Sequence, residues 1–239
     1  MRTIIFTFLI LTSCTPTNDS IDIEEKDGLM YKKGTSELFS GLMTEYFESG
    51  QIAFRAPYEN GLRNGKTIWW YENGKKKSEG QTINGKKDGE WKFWFDNGTI
   101  SAVNTYKDDK LNGVSKSFDE GGNIEAEIIY ENGIANGRAL SYYKNGQIEN
   151  DFTYTDGLRQ GEARIFFQNG NIQTKCNYRD NKLDGEFLVH HINGVLIGRL
   201  TYESGKLEGK YLAYDSLGHL LQEQIYKDSV LLKTIDYRK

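Results

Sequence analysis

Apolar and polar residues alternate along most of this chain, and short breaks rich in glycine and asparagine separate the alternating runs. Residues 148–154 are typical, because Ile148, Phe152 and Tyr154 lie on one parity while Glu149 and Asp151 lie on the other. Successive side chains of a strand point to opposite faces, so this alternation predicts a β-strand with one buried face. No segment of the chain has helical periodicity, and we expect strands throughout.

The same pattern recurs every 24 residues. Two columns of glycine keep this spacing through eight units: Gly41, Gly65, Gly89, Gly113, Gly137, Gly161, Gly185 and Gly209 in one, and Gly50, Gly74, Gly98, Gly122, Gly146, Gly170, Gly194 and Gly218 in the other. A fixed period of 20–50 residues indicates a repeat architecture, in which each unit packs on its neighbours.

Each unit contains two turn signals. Asn-Gly pairs such as Asn145-Gly146 lie between two apolar runs and predict a tight hairpin turn with positive φ at both central residues. The stretch 60–65 and its copies predict a longer turn, in which the first glycine is replaced in some units by a residue that tolerates positive φ. These replacements are Asp109, Asn181 and Ser229. We therefore expect an all-β fold over residues 31–239, an elongated single-layer antiparallel β-meander of about eight 24-residue hairpin repeats.

Two adjacent columns of mainly aromatic residues follow the first strand of each unit, and we expect the first to stack between repeats. The first column begins Tyr46, Trp70, Trp94. The second contains Phe47, Tyr71, Phe95, Tyr143 and Phe167. Alternation places the second column on the opposite face of the sheet. Two interpretations stay open: these side chains serve stacking alone, or they also form a stripe that binds a partner.

Composition and charge exclude several classes of function. The formal net charge is −4, and Lys and Arg are spread over every unit, so the sequence offers no basic face for nucleic acid. His190 and His191 are adjacent and would face opposite sides of a strand, and Cys176 fits a small buried residue. We expect no metal, no cofactor and no catalytic residues. Acidic pairs such as Glu125 and Glu127 are typical of a solvated face, although glycosidase chemistry also uses two carboxylates.

The N-terminus has the features of an export signal. Residues 4–11 are apolar but too short to cross a bilayer as a helix, which fits a signal peptide over 1–13. The segment Leu11-Thr12-Ser13-Cys14 resembles the lipobox of bacterial lipoproteins, in which cleavage leaves an acylated N-terminal cysteine. The alternative is an ordinary secretory signal with an incidental cysteine.

The lipobox resemblance implies lipidation of Cys14 and a membrane anchor. Residues 14–30 are polar and acidic and are predicted to form a flexible tether. Thr15, rather than Asp, follows the cysteine, which by the same resemblance favours the outer membrane of a Gram-negative bacterium. The expected location is the cell envelope, and both periplasmic and surface-exposed orientations stay open.

The repeat itself resembles the variant MORN repeat of bacteria. The unit Tyr-x-Asn-Gly-x-x-x-Gly-x-x-x-x-aromatic-aromatic-x-Asn-Gly-x-Ile, as in residues 130–148, carries this resemblance over about residues 31–232. The resemblance implies an antiparallel β-meander that acts as an interaction scaffold or as the antitoxin of a toxin–antitoxin system.

We expect a non-catalytic, membrane-anchored scaffold that binds a protein or glycan partner in the envelope. The alternatives are an antitoxin or immunity protein and, third, an enzyme acting on envelope polysaccharide.

Overall fold

A computed structural model describes residues 22–238 of the chain. Its regular elements are β-strands, and no helix occurs among these residues. They divide into two compact units, the first ending at Gly122 and the second beginning at Asn123. The predicted signal peptide (1–13), Cys14 and the first part of the predicted tether lie outside the described residues.

The first unit is an antiparallel sheet preceded by a small hairpin, β1 with β2. β3 pairs with β4, β4 pairs with both β5 and β6, and consecutive strands pair from β6 to β10. The strands are β1 (Ile23–Lys26), β2 (Leu29–Lys32), β3 (Gly41–Tyr46), β4 (Ile52–Glu59), β5 (Leu62–Arg63), β6 (Gly65–Trp70), β7 (Lys76–Ile83), β8 (Lys86–Trp94), β9 (Ile100–Lys107) and β10 (Lys110–Phe118).

The second unit repeats the same antiparallel order. Its strands are β11 (Ile124–Glu131), β12 (Ile134–Tyr142), β13 (Ile148–Thr155), β14 (Leu158–Arg159), β15 (Gly161–Phe166), β16 (Ile172–Arg179), β17 (Lys182–Leu183), β18 (Gly185–His190), β19 (Leu196–Glu203), β20 (Lys206–Leu207), β21 (Gly209–Tyr214), β22 (Leu220–Lys227) and β23 (Val230–Asp236). Each long strand pairs antiparallel with the next long strand, and the short strands β14, β17 and β20 pair with the strand before them. The predicted all-β meander of 24-residue hairpin repeats is confirmed.

The two turns of each repeat have exchanged the geometries predicted for them. At Asn145-Gly146 only the glycine has positive φ (83°), and the loop closes with Gly146 N–H donating to Tyr143 O and Tyr143 N–H donating to Gln147 O, both at 2.8 Å. This is a longer hairpin loop with one left-handed glycine, not a primed two-residue turn. The predicted primed geometry at this position is therefore wrong.

The primed turn lies at the other end of the repeat, where a longer turn was expected. Asn132 (φ 51°) and Gly133 (φ 87°) both have positive φ and join β11 directly to β12. The replacements Asp109, Asn181 and Ser229 also have positive φ, between 66° and 67°, which confirms that the position is conformational. The second glycine of this stretch, Gly137 in β12, lies at a break in the β11–β12 register and forms part of a bulge.

One face of the sheet in each unit carries the core, and we call it the inner face. In the first unit it includes the buried side chains of Met43, Phe54, Ala56, Thr67 and Trp91. In the second unit it includes Ala139, Ala163, Thr174 and Cys176. On the second strand of each hairpin, the buried residues Phe54, Ala56, Thr174 and Cys176 have the parity that the sequence predicted to be apolar, and Cys176 is 2% exposed. On the first strands the buried residues alternate out of phase with the column Tyr46, Trp70 and Trp94, and the strand register shifts directly before each of these aromatic residues.

The opposite, outer face of each unit is held by ion pairs between neighbouring strands. In the first unit Lys66 pairs with Glu79 at 3.3 Å, and in the second Arg138 pairs with Asp151 at 2.9 Å. Exposed pairs of this kind contribute about 0–1 kcal/mol each, so they help solubility and register more than stability.

Part of the predicted tether is ordered, which corrects its boundary. β1 and β2 form a hairpin over residues 23–32, and Ile23 and Met30 pack against the core of Phe39, Met43, Phe54 and Ala56. Met30 N–H donates to Gly61 O at 3.0 Å, which fixes the hairpin to the first repeat. The apolar residues within the acidic segment explain the difference, because their burial outweighs the polar composition.

Candidate functional site

The aromatic stripe predicted from sequence lies at the hairpin loops. Phe47, Tyr71, Phe95, Tyr143 and Phe167 each directly follow a strand, and each donates its backbone N–H across its loop. All five side chains are partly buried. Because they begin loops, the alternation of the strand does not set the face on which they lie.

Two members of the stripe have a structural task. Tyr71 Oη donates a hydrogen bond to the backbone oxygen of Trp94 at 2.7 Å, and Tyr143 Oη donates to that of Phe166 at 2.6 Å. Each bond reaches the next repeat, 23 residues along the chain. These two tyrosines therefore join neighbouring repeats by hydrogen bonds, while ring stacking and partner binding by the stripe both stay predictions.

The loop asparagines link repeats in the same way. Asn145 Oδ1 accepts from Gln147 N–H at 3.1 Å within its own loop, and Asn145 Nδ2 donates to Gln168 O at 2.9 Å in the next repeat. Asn73, Asn97, Asn169 and Asn193 make the corresponding pair of bonds. The Asn-Gly signal therefore encodes contact between repeats as well as a turn.

The described residues offer little for metal or nucleophilic chemistry. No group of three His, Cys, Asp or Glu side chains within 22–238 could hold a metal ion. Burial raises the pKa of the Cys176 thiol, which keeps it protonated. His190 Nδ1 is buried, and no hydrogen-bond partner for it occurs in this part of the chain. In the described residues, no helix is long and apolar enough to cross a membrane.

The inner face holds cations against aromatic rings. In the first unit, Lys87 Nζ lies 4.8 Å from the ring centre of Trp91, 5.1 Å from that of Phe93 and 4.9 Å from that of Tyr106. Burial lowers the pKa of Lys87, although Asp109 opposes the shift. Such contacts contribute about 0.5–2 kcal/mol.

The second unit has a matching cation site. The guanidinium carbon of Arg159 lies 4.7 Å from the ring centre of Phe152 and 5.5 Å from that of Tyr178. Arg159 and Lys87 lie three repeats apart at the same repeat position. The inner face is therefore suited to positive charge at this position in both units.

A cavity of about 830 Å³ in the first unit is the main candidate site. The inner face supplies Glu45 from β3, Phe54 and Tyr58 from β4, and Trp69 from β6, while the β1–β2 hairpin supplies the other side. Phe54 and Trp69 form one wall, with ring centres 4.2 Å apart. The volume is that of a typical small-molecule pocket.

Glu45 is the unusual group in this cavity. It is partly buried, and burial raises the pKa of its carboxyl above the ordinary value. Within residues 22–238 it has no hydrogen-bond or ion-pair partner. Burial also raises the pKa of the neighbouring Tyr58, and Glu45 adds to that shift while Arg63 opposes it. A carboxylate removed from water without a partner is costly, so this group needs an explanation.

Sequence analysis missed this site, although a signal was available. At the repeat position of Glu45, the other seven units have Trp69, Phe93, Ser117, Ser141, Ile165, Val189 and Ala213. Glu45 is the one ionisable residue in this column. Comparing the column across repeats would have identified it, whereas we compared aromatic columns only.

Comparison with known families agrees with this geometry. The MORN repeat variant profile matches seven segments: 39–60, 63–84, 87–108, 111–132, 135–156, 159–180 and 207–228. Together they cover more than half of the chain. The chain belongs to the MORN repeat variant family. MORN repeats are generally interaction or scaffold repeats, and the segments of this chain match the strands and turns described above.

Similarity to solved structures is weak. The crystal structure of TcdB2-TccC3-Cdc42 matches 86% of this chain at 10% identity, and that of TcdB2-TccC3 matches 93% at 12% identity, each with a TM-score of 0.19. The chain spans 16% of either of those chains. A search of curated proteins finds no match.

Proposed function

We propose that this MORN repeat variant protein is a non-catalytic scaffold of the bacterial cell envelope, anchored through lipid on Cys14 and binding a protein or glycan partner. The observation that carries the scaffold role is the repetition itself. Seven segments match an interaction repeat, and the loop asparagines and tyrosines join successive repeats within each unit. These hydrogen bonds between repeats favour a rigid sheet surface on which a partner can bind.

The envelope location rests on the lipobox-like segment Leu11-Thr12-Ser13-Cys14. Several acyl chains on one cysteine would give stable anchoring, since a single chain binds a bilayer only marginally.

The test compares the full chain with a Cys14→Ala variant in a bacterial host, using a fatty-acid label, membrane fractionation and cross-linking in intact cells. We expect label and membrane association for the wild type, loss of both in Cys14→Ala, and a defined cross-linked partner for the anchored form. Equal label and equal fractionation of the two forms would refute the anchor. A wild type that cross-links to nothing in the envelope would refute the scaffold role.

A further inference from the structure

The cavity beneath the β1–β2 hairpin has walls from three parts of the first unit. Glu45 and Phe54 are direct cross-strand neighbours on β3 and β4, and Trp69 lies opposite Phe54 on β6. A further backbone bond holds the hairpin, from Phe39 N–H to Met30 O at 2.9 Å, and Phe39 O in turn accepts from Gly61 N–H of the first repeat at 2.8 Å. The cavity is therefore part of the folded unit and not a gap beside a loose segment.

The charges that line the cavity leave the acidic side without a partner. Lys33 pairs with Asp22 at 3.3 Å, and Glu24 pairs with Lys26 at 2.8 Å. Glu45, and Glu25 on the hairpin, have no ionic partner among residues 22–238. The deeper carboxylate, Glu45, is thus an unsatisfied negative charge next to aromatic rings.

The cationic side chains of the cavity do not neutralise it. Arg63 donates a hydrogen bond to Gly85 O at 3.4 Å and, although it shifts the pKa of Tyr58, it does not contribute to that of Glu45. Lys86 is exposed at the start of β8. Arg63 occupies the repeat position of Lys87 and Arg159, yet no ion pair joins it to Glu45, so residues 22–238 provide no counter-ion for this carboxyl group.

We propose that this cavity is a binding site for an organic cation, an alkylammonium or guanidinium group attached to an apolar body. The cationic group pairs with the Glu45 carboxylate, and the faces of Phe54, Tyr58 and Trp69 receive the adjoining carbon atoms. Such a group can come from a free amine or from a basic side chain of a partner protein, and the chemistry at Glu45 is the same. The site does not depend on the membrane anchor.

Trp69 supports this assignment independently of charge. It is 37% exposed although it is a large apolar residue, and it lies on the cavity wall. An aromatic ring left partly open beside an unpaired carboxylate is the arrangement that a cation with an apolar body would cover.

The test is isothermal titration calorimetry of the full chain with benzylammonium, and with benzyl alcohol and benzoate as neutral and anionic counterparts. A capped Ala-Lys-Ala peptide, as the second arm, presents the ammonium on a side chain. Glu45→Gln removes the charge and keeps the shape. Glu48→Gln makes the same change in net charge on an exposed loop residue outside the cavity.

We expect saturable binding of benzylammonium to the wild type and to Glu48→Gln, weakening of about tenfold or more in Glu45→Gln, and no binding of benzoate. Trp69→Leu should weaken benzylammonium binding severalfold. If Glu45→Gln were to misfold, this second variant would still test whether the ligand binds in the cavity. If the peptide binds as well as benzylammonium, the natural ligand is assigned to a basic side chain of a partner protein. If benzylammonium alone binds, the natural ligand is assigned to a free amine. Failure of both cations, or equal binding by wild type and Glu45→Gln, would overturn the proposal, whatever the outcome for the anchor and the scaffold.

Discussion

Gly80 in β7 packs against the indole ring of Trp91, and replacing this glycine with alanine tests how tightly the inner face is packed. Gly80 lies directly opposite Trp91 of β8. A Cβ at Gly80 would lie 2.3 Å from Cδ2, 2.4 Å from Cγ and 2.5 Å from Cε2 of the indole, about 1 Å short of ordinary contact, which begins at 3.4 Å. The backbone at Gly80 is not in the positive-φ region, so the effect is steric alone.

The indole has little room to retreat. Trp91 is 1% exposed, and its Nε1–H donates to Gln81 O at 2.9 Å. Overpacking a core costs about 1–3 kcal/mol, and a displaced indole also loses a hydrogen bond worth about 0.5–1.5 kcal/mol. We therefore expect Gly80→Ala to lower the free energy of unfolding by about 2–4 kcal/mol.

Gly198→Ala is the matched control. Gly198 also lies within a strand on the inner face without positive φ, but its Cβ would meet Val189 at 3.4 Å, which is ordinary contact. We expect this change to be neutral or slightly stabilising, since alanine loses less backbone entropy on folding. A Gly80→Ala/Trp91→Leu double variant should be no less stable than Trp91→Leu alone, because the clash is gone.

The assay is urea unfolding followed by far-UV circular dichroism and tryptophan fluorescence, with coincident transitions required before fitting. Equal unfolding free energies for Gly80→Ala and Gly198→Ala, within about 0.5 kcal/mol, would refute the steric explanation.

The remaining predictions concern the loop asparagines that join repeats and the partly buried carboxyl group of Glu45. Asn145→Ala should lower the free energy of unfolding in urea by about 1–2 kcal/mol, because the bonds to Gln147 and Gln168 are both lost. Lys144→Ala on the same loop should leave this free energy unchanged. Equal effects of the two substitutions would show that the asparagine bonds between repeats do not stabilise the fold. Glu45→Gln should stabilise the protein at neutral pH. The pKa of Glu45 in the folded protein is raised above its ordinary value of 4.5. The stability of the wild type therefore falls as the pH rises from 4.5 through the folded pKa, because the folded state must then carry a buried charge. The advantage of the variant should therefore vanish at pH values below about 4.5, and a pH-independent difference would show that charge burial is not the cause.

Much of the fold was accessible from two columns of glycine and an alternating pattern. The period of 24 residues predicts repeated hairpins, and the period of 2 residues predicts that alternate side chains of a strand are buried. Phe54, Ala56 and Cys176 are buried in agreement with this alternation. The turn assignments failed because Asn-Gly fits two geometries. A side-chain amide that bonds its own loop and the next repeat favours the longer loop at Asn145-Gly146, and this contact depends on a neighbour 23 residues away.

The candidate site was less accessible for a related reason. Glu45 was visible as an exception in its column, but its meaning depends on the β1–β2 hairpin that covers it. That hairpin lies in a segment whose polar composition indicated a tether. Composition averages over the segment, whereas Ile23 and Met30 act individually through the apolar surface they bury.

The sequence alone therefore determined the strands, their antiparallel order and the buried parity of the second strand in each hairpin, because these depend on local periodicity that every repeat restates. The tertiary structure decided which turn is tight, which glycine is steric rather than conformational, and where an acid lies unpaired among aromatic rings. Each of these depends on which atoms meet across strands or between the hairpin and the first repeat. Such contacts join residues that no short-range pattern relates.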